Sequence, residues 1–163
     1  MFHRLLVAFD GTPAAHRAVA TAVELARAND ARLTVIAAVH DLSDVFFGSI
    51  TSVEFGDLAA QTERKCRAML DTVVESVPDD IPTAGILGHG SPGPAILDEV
   101  RAGGHDLVLI GSRRRGGLRT LLLGSVSRHV LDASPVPVLL VPAATDHPNR
   151  ELALAGRQLS SPR

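Results

Sequence analysis

Residues 107–125 read LVLIGSRRRGGLRTLLLGS, and this stretch decides the fold class. Leu107 to Ile110 form a continuous apolar run, which is typical of a strand buried on both faces of a parallel sheet. We expect that strand to stop at Gly111. Gly124 and Ser125 then open a predicted helix, whose unpaired backbone N–H groups favour an anion. The stretch therefore predicts a phosphate-binding loop between a strand and a helix.

Apolar runs and helical patterns alternate along the rest of the chain. This alternation predicts an α/β fold with a parallel sheet and right-handed crossovers. If the first strand is central, the result is an open, doubly wound, Rossmann-like sheet of five strands in the order 3-2-1-4-5. The other predicted strands are Leu5 to Phe9, Leu33 to Val39, Thr83 to Leu87 and Val138 to Val141, and the predicted helices run from Pro13 to about Arg27, from Leu58 to Val77, from Pro94 to Arg101 and from Ser125 to Leu131.

The crevice between strands one and four is the predicted binding place. In a doubly wound sheet, ligands bind at the carboxyl ends of the strands where the winding direction reverses. Asp10 follows the first strand and Gly111 follows the fourth. We therefore expect these two turns, far apart in sequence, to face one pocket.

Composition limits the class of protein and of partner. The chain has 163 residues, 45% of them hydrophobic, a formal net charge of -2 and one cysteine, which excludes an internal disulfide. Neither a secretory signal nor a membrane-length apolar run is recognisable, so we expect a soluble cytoplasmic protein without a membrane or nucleic-acid partner. We predict one domain over residues 1–142 and a polar C-terminal tail over 143–163 with a short helix around Glu151 to Ala155. The role of residues 40–56, predicted to be a loop with a short helical turn, stays open.

Three sequence motifs give the chain a family resemblance. They are VAFDGTPAA at residues 7–15, GSPGPAIL at residues 90–97, and GSRRRGGLRTLLLGSVSRHVL at residues 111–131, which leads to SPVPVLLVP at residues 134–142. In order and spacing they resemble the universal stress protein family over residues 3–142. In nucleotide-binding members the last motif reads glycine, two residues, glycine, nine residues, then glycine and serine or threonine.

The resemblance implies an adenine nucleotide, ATP above all, as the ligand, with Mg²⁺ left open. It implies that Asp10 meets the ribose or adenine end, and that Ile110 and Gly111 pass beneath the ribose and phosphates. It also implies a homodimer formed through the last strand, an edge strand that needs covering. The full set of implied ligand residues is Ala8, Asp10, Val39, Ile110, Gly111, Arg113, Arg114, Gly124, Ser125 and Val126, and the implied dimer residues are Val138, Leu139, Leu140 and Val141.

The second motif glycine is replaced by Arg114. Glycine at such a turn permits positive φ and close approach of phosphate, whereas arginine meets a backbone penalty there. The Arg114 side chain is instead able to hold a phosphate as a charge-assisted donor. The sequence thus leaves two functions open: a nucleotide-binding stress-response switch, and a dimeric interaction module that has lost nucleotide binding. A slow ATP hydrolase is the weaker third hypothesis.

Simpler structural roles stand beside these functional ones. Asp10 is also a good turn former, the three arginines from Arg113 also suit a solvated loop, and Gly124 with Ser125 also caps a helix. Cys66, at an apolar helical position, is expected in the core. No metal-ligand spacing is found among the seven histidines. No Walker motif surrounds Lys65, and no dinucleotide glycine motif follows the first strand. The sequence around Ser91 is not a nucleophile elbow, because its first position is histidine rather than glycine. We therefore predict no catalytic residue.

Overall fold

Five parallel strands form one sheet in the order β3-β2-β1-β4-β5. The structure is a computed structural model that describes residues 1–39, 52–112 and 124–143. The predicted fold class and strand order are confirmed. The strands are β1 Arg4–Ala8, β2 Arg32–Val39, β3 Thr83–His89, β4 Leu107–Ser112 and β5 Val138–Pro142.

Helices cover both faces of the sheet. Residues of α1 and α2 pack with one face of β1, β2 and β4, whereas residues of α3 and α4 pack with the opposite face. This distribution follows from the right-handed crossovers, because the chain reverses its winding direction between β3 and β4. Within the described ranges, no helix is long and apolar enough to cross a membrane. The helices are α1 Pro13–Asn29, α2 Ser52–Glu75, α3 Pro92–Ala102 and α4 Ser125–Ala133.

The core lies between the central strands and these helices. Leu5 and Leu109 are fully buried on the face covered by α1 and α2, and Leu6 and Val108 are fully buried on the other. Burial of one such side chain stabilises the fold by roughly 1.5–3 kcal/mol. Because β1 and β4 carry large side chains on both faces, they form the rigid centre of the sheet.

Several predicted boundaries were wrong, each because pairing or packing extends an element. The β4 strand does not stop at Gly111 but continues through Ser112, since these residues pair with Val141 and Pro142. The β3 strand reaches His89, which pairs with Val39.

The α2 helix begins at Ser52 rather than near Leu58, so that part of the predicted 40–56 loop is helical. Other predicted features lie outside the described residues. These are residues 40–51, the arginines at 113–115 with the rest of that loop, and the tail beyond Ala143 with its short helix.

Candidate functional site

A cavity of about 680 Å³ opens at the carboxyl ends of β1, β2 and β4. Its size falls within the range of small-molecule sites, roughly 300–1,000 Å³. Three helices present their N-terminal ends to it, and α2 lies along one side. The lining residues are Ala8, Phe9, Asp10, Ala15, Ile36, Ala38, Thr62, Lys65, Cys66, Met69, Pro92, Ile96, Ile110, Gly111, Gly124, Ser125, Val126 and Ser127.

The two turns expected to share a pocket lie on this cavity, because β1 and β4 are paired neighbours with Ala8 opposite Ile110. Val39 does not line the cavity; the lining residues from β2 are Ile36 and Ala38. Arg113 and Arg114 lie outside the described residues. The other predicted ligand residues line the cavity, namely Ala8, Asp10, Ile110, Gly111, Gly124, Ser125 and Val126.

The turn between β1 and α1 is held by its own side chains. The Thr12 hydroxyl donates to Asp10 Oδ1 at 2.6 Å, and the Thr12 backbone N–H donates to the same oxygen at 3.1 Å. The Ala15 N–H in turn donates to Thr12 Oγ1 at 3.3 Å, which makes Thr12 the N-cap of α1. Gly11 has φ +73°, a conformation that side-chain-bearing residues rarely adopt. Asp10 therefore both forms the turn and lines the cavity.

Gly111 is required by packing. A Cβ built on it would lie 2.5 Å from the carbonyl carbon of Ala14 and 2.6 Å from the backbone nitrogen of Ala15. These are backbone atoms of α1, so they cannot move aside as a flexible side chain would. The end of β4 thus touches the first turn of α1 directly, and only glycine allows this contact.

The N-terminus of α4 differs from that of α1. Its N-cap is Gly124, which makes no side-chain capping hydrogen bond, and a Cβ built there would meet no described atom within 4 Å. The α3 N-cap, Ser91, also makes no side-chain capping bond. The first backbone N–H groups of α4 are therefore left for solvent or an anion.

Ser127 adds a hydroxyl beside these N–H groups. The residue is only 5% exposed and lines the cavity. Its hydroxyl makes no hydrogen bond with any residue that the structure describes. A hydroxyl that faces the cavity without a described protein partner is able to bond a polar ligand group there.

The α2 side of the cavity was not predicted from the sequence. Thr62, Lys65, Cys66 and Met69 line it at helical spacing. Cys66 was expected in the core; it packs against the core only in part and lies at the cavity surface, with Sγ 3.8 Å from the Ala38 carbonyl oxygen. Partial burial raises the pKa of the Cys66 thiol, so the thiol form is favoured at neutral pH.

The lining combines an apolar part with a few polar groups. Ile36, Ala38, Ile96 and Ile110 provide apolar surface for a flat ring, while Asp10 and Lys65 are the charged side chains among the described lining residues. Those described ranges include no group of three or more His, Cys, Asp or Glu able to hold a metal ion. The arrangement is suited to binding a molecule with an apolar ring and an anionic group.

Comparisons with known proteins agree with this architecture. The family model described as "Universal stress protein family" matches residues 1–142. A relative from Thermus aquaticus, "Universal stress protein in QAH/OAS sulfhydrylase 3'region", is 34% identical over 141 residues, which cover 86% of this chain and 99% of the relative.

Two solved structures share the fold. An Arabidopsis thaliana universal stress protein family protein with AMP bound is 20% identical, with a TM-score of 0.64 over 88% of this chain and 94% of its own. A universal stress protein in complex with cAMP is 23% identical, with a TM-score of 0.54 over 88% of this chain and 99% of its own. The match over residues 1–142 and the Thermus relative establish that this chain belongs to the universal stress protein family.

Proposed function

We propose that this protein binds an adenine nucleotide, ATP being the expected ligand, in the cavity between β1 and β4 and acts as a stress-response switch. The observation that carries the proposal is the N-terminus of α4, which has no side-chain cap and faces the cavity beside Ser127, another lining residue. An anionic phosphate would accept hydrogen bonds from both. The AMP and cAMP bound by the two structural relatives support the same ligand class.

Each part of the nucleotide has a complementary surface in this proposal. The base lies against the apolar side chains of β1 and β2, with Ala38 taking the place expected for Val39. The ribose hydroxyls meet Asp10, which lines the cavity at the end of β1. Ile110 and Gly111 lie beneath the ribose and phosphates. The backbone N–H groups at the start of α4 hold a phosphate.

Nothing in the described part of the cavity offers a preformed metal site. We therefore propose that any Mg²⁺ arrives bound to the phosphates of the nucleotide. The Thr12 hydroxyl lies 2.6 Å from the Asp10 carboxylate, but it is engaged in capping α1, which favours a switch over a hydrolase. Incubating ATP with the pure protein and following its mass separates the two: survival of the ATP over hours supports the switch, and steady release of phosphate supports the hydrolase.

Cys66 provides a direct test of where the nucleotide binds. It is the single cysteine of the chain and lies at the cavity surface, so a bound nucleotide will slow its alkylation by a thiol reagent. The experiment measures ATP affinity by calorimetry and the rate of Cys66 alkylation over the same ATP range. We expect one saturable site per chain and protection with the same midpoint.

The matched control moves the cysteine along α2. In a double variant, Cys66→Ala with Asp71→Cys, the thiol lies at an exposed position that does not line the cavity, and ATP will not protect it. Absence of binding at millimolar ATP would refute the proposed function. Binding without protection of Cys66 would place the nucleotide elsewhere.

A dimeric interaction module is the second candidate function. It is favoured by β5, an edge strand on which Leu139 is 37% exposed. Val138 and Leu140 are partly buried and Val141 is buried against the core, so Leu139 is the apolar side chain of this strand most available to a second copy. The proposed homodimer predicts that Leu139→Lys lowers the mass measured by light scattering, and a wild-type monomer would contradict it.

Arg114→Gly separates the two candidates. This variant restores the motif glycine. If the family site has been lost through the arginine, ATP affinity rises in the variant; if the arginine holds a phosphate, ATP affinity falls. The proposed cytoplasmic location is tested separately by fractionating cells that express the full chain.

A further inference from the structure

We infer that Lys65 binds the terminal phosphates of the nucleotide and makes the cavity selective for nucleoside triphosphates over monophosphates. This inference rests on the proposed function. Lys65 is the sole lysine of the chain and the only cationic side chain among the described residues that line the cavity. An ammonium group with no fixed partner is suited to an anion that arrives with the ligand.

The packing of α2 determines where Lys65 lies. Further along the helix, Leu70 and Val73 are buried against the sheet. Met69 reaches the β1–α1 turn, where its Sδ lies 2.8 Å from a Cβ built on Gly11. Lys65 precedes Met69 by one helical turn, about 6 Å. Since crossover helices run antiparallel to the strands, that turn lies toward the carboxyl ends of the strands, where the cavity opens.

Lys65 is exposed and makes no ion pair or hydrogen bond with any residue in the described ranges. The other anion-binding element, the N-terminus of α4, belongs to the opposite face of the sheet. In this inference, α4 binds one phosphate from one side of the cavity, and Lys65 binds another phosphate of the same ligand from the other side. A nucleoside monophosphate offers no second phosphate, whereas a triphosphate does.

The test compares ATP, AMP and adenosine by calorimetry in the wild type, Lys65→Met and Lys65→Arg. We expect Lys65→Met to weaken ATP binding about tenfold, AMP binding less than twofold and adenosine binding not at all, because one charge-assisted contact to the terminal phosphates is lost. Lys65→Arg should recover most of the ATP affinity. Arg67→Met removes an equal charge from an exposed position of α2 that does not line the cavity, and it should change none of the three affinities.

Each outcome distinguishes this inference from the proposed function. If wild-type protein binds ATP and Lys65→Met binds it equally well, the inference fails and the proposed function stands. If Lys65→Met weakens adenosine as much as ATP, the side chain acts by packing and the inference also fails. If wild-type protein binds none of the three ligands, the proposed function fails, and the inference that rests on it fails as well.

Discussion

The N-termini of α1 and α4 both face the cavity, but they differ in how they are capped. At α1, Thr12 caps the helix, Asp10 holds Thr12, and the backbone of Ala14 and Ala15 packs directly on Gly111. At α4, the N-cap is Gly124, which has no side chain to cap the helix, and a Cβ built on it would meet no described atom within 4 Å. One helix end is capped by a side chain of the protein, and the other has no side-chain cap, which is why we propose it as the phosphate site. Of the two motif glycines, Gly111 is therefore required by packing against α1, whereas Gly124 is not required by packing against any described atom.

The largest expected effect comes from Gly111→Ala. The added methyl group overlaps backbone atoms of α1 at 2.5–2.8 Å, so the first turn of α1 must move away from β4. We expect a loss of about 3 kcal/mol in the free energy of unfolding, measured by urea denaturation. The same substitution at Gly124 is the matched control, and wild-type stability of Gly111→Ala would contradict the packing role.

Gly124→Ala should act on the ligand instead. Its backbone conformation, φ -61° and ψ 162°, is accessible to alanine, and a Cβ there meets no described atom. We expect a change in unfolding free energy below about 1 kcal/mol. ATP affinity should fall about tenfold, equivalent to about 1.4 kcal/mol, because the methyl group keeps the phosphate from the backbone. Unchanged ATP affinity by calorimetry would mean that the phosphate lies away from this helix end.

Thr12→Ala tests the completed helix end by removing its cap. The Ala15 N–H loses its side-chain acceptor and Asp10 loses the Thr12 hydroxyl. We expect the unfolding free energy to fall by about 1 kcal/mol. Thr12→Ser keeps the hydroxyl and should stay close to wild type in the same urea titration. Equal losses in both variants would attribute the effect to the missing methyl group.

The far end of α1 gives the smallest effect. Arg27 in its last turn donates two hydrogen bonds to Asp80, at 2.9 and 3.0 Å, and this lowers the pKa of the Asp80 carboxyl. Because this pKa is lower in the folded state, the charged carboxylate stabilises the fold at pH values above the unfolded pKa of about 3.9. That stabilisation is lost as the pH falls through the folded pKa. Both side chains are more than half exposed, so water screens the pair.

Asp80→Asn should therefore lower the thermal midpoint slightly at neutral pH and low salt. The difference from wild type should disappear in acid and in high salt. A difference that persists in acid would show that the introduced amide disturbs packing rather than charge.

The sequence was sufficient for the fold because its signals are local. Each strand is an apolar run, Thr12 and Pro13 begin a helix, and the alternation of elements predicts a parallel sheet. The strand order needed the further assumption that the first strand is central. The same reasoning brought Asp10 and Gly111 to one cavity. It did not predict the packing of Gly111 against Ala14 and Ala15, because that contact joins residues far apart in the chain.

The α2 side of the cavity could not be predicted for a related reason. The spacing of Thr62, Cys66 and Met69 identifies an inward-facing side of a helix, but it does not say where along that helix the sheet ends. Thr62, Lys65, Cys66 and Met69 of α2 line the cavity, whereas Leu70, Val73 and Val77 further along the chain are buried in the core. Similarly, the family resemblance implied Val39 as the ligand residue of β2, whereas Ile36 and Ala38 are the β2 residues that line the cavity.

The central position of β1 has a consequence for hydrogen exchange. This strand is bonded to β2 on one side and to β4 on the other, so its amides will exchange with deuterium among the last in the molecule. The α4 helix is short and peripheral, and its amides will exchange early. A nucleotide that contacts both elements would stabilise α4 against local opening. The exchange rates of the α4 amides would then fall as ligand occupancy rises, while the β1 amides would report only global unfolding.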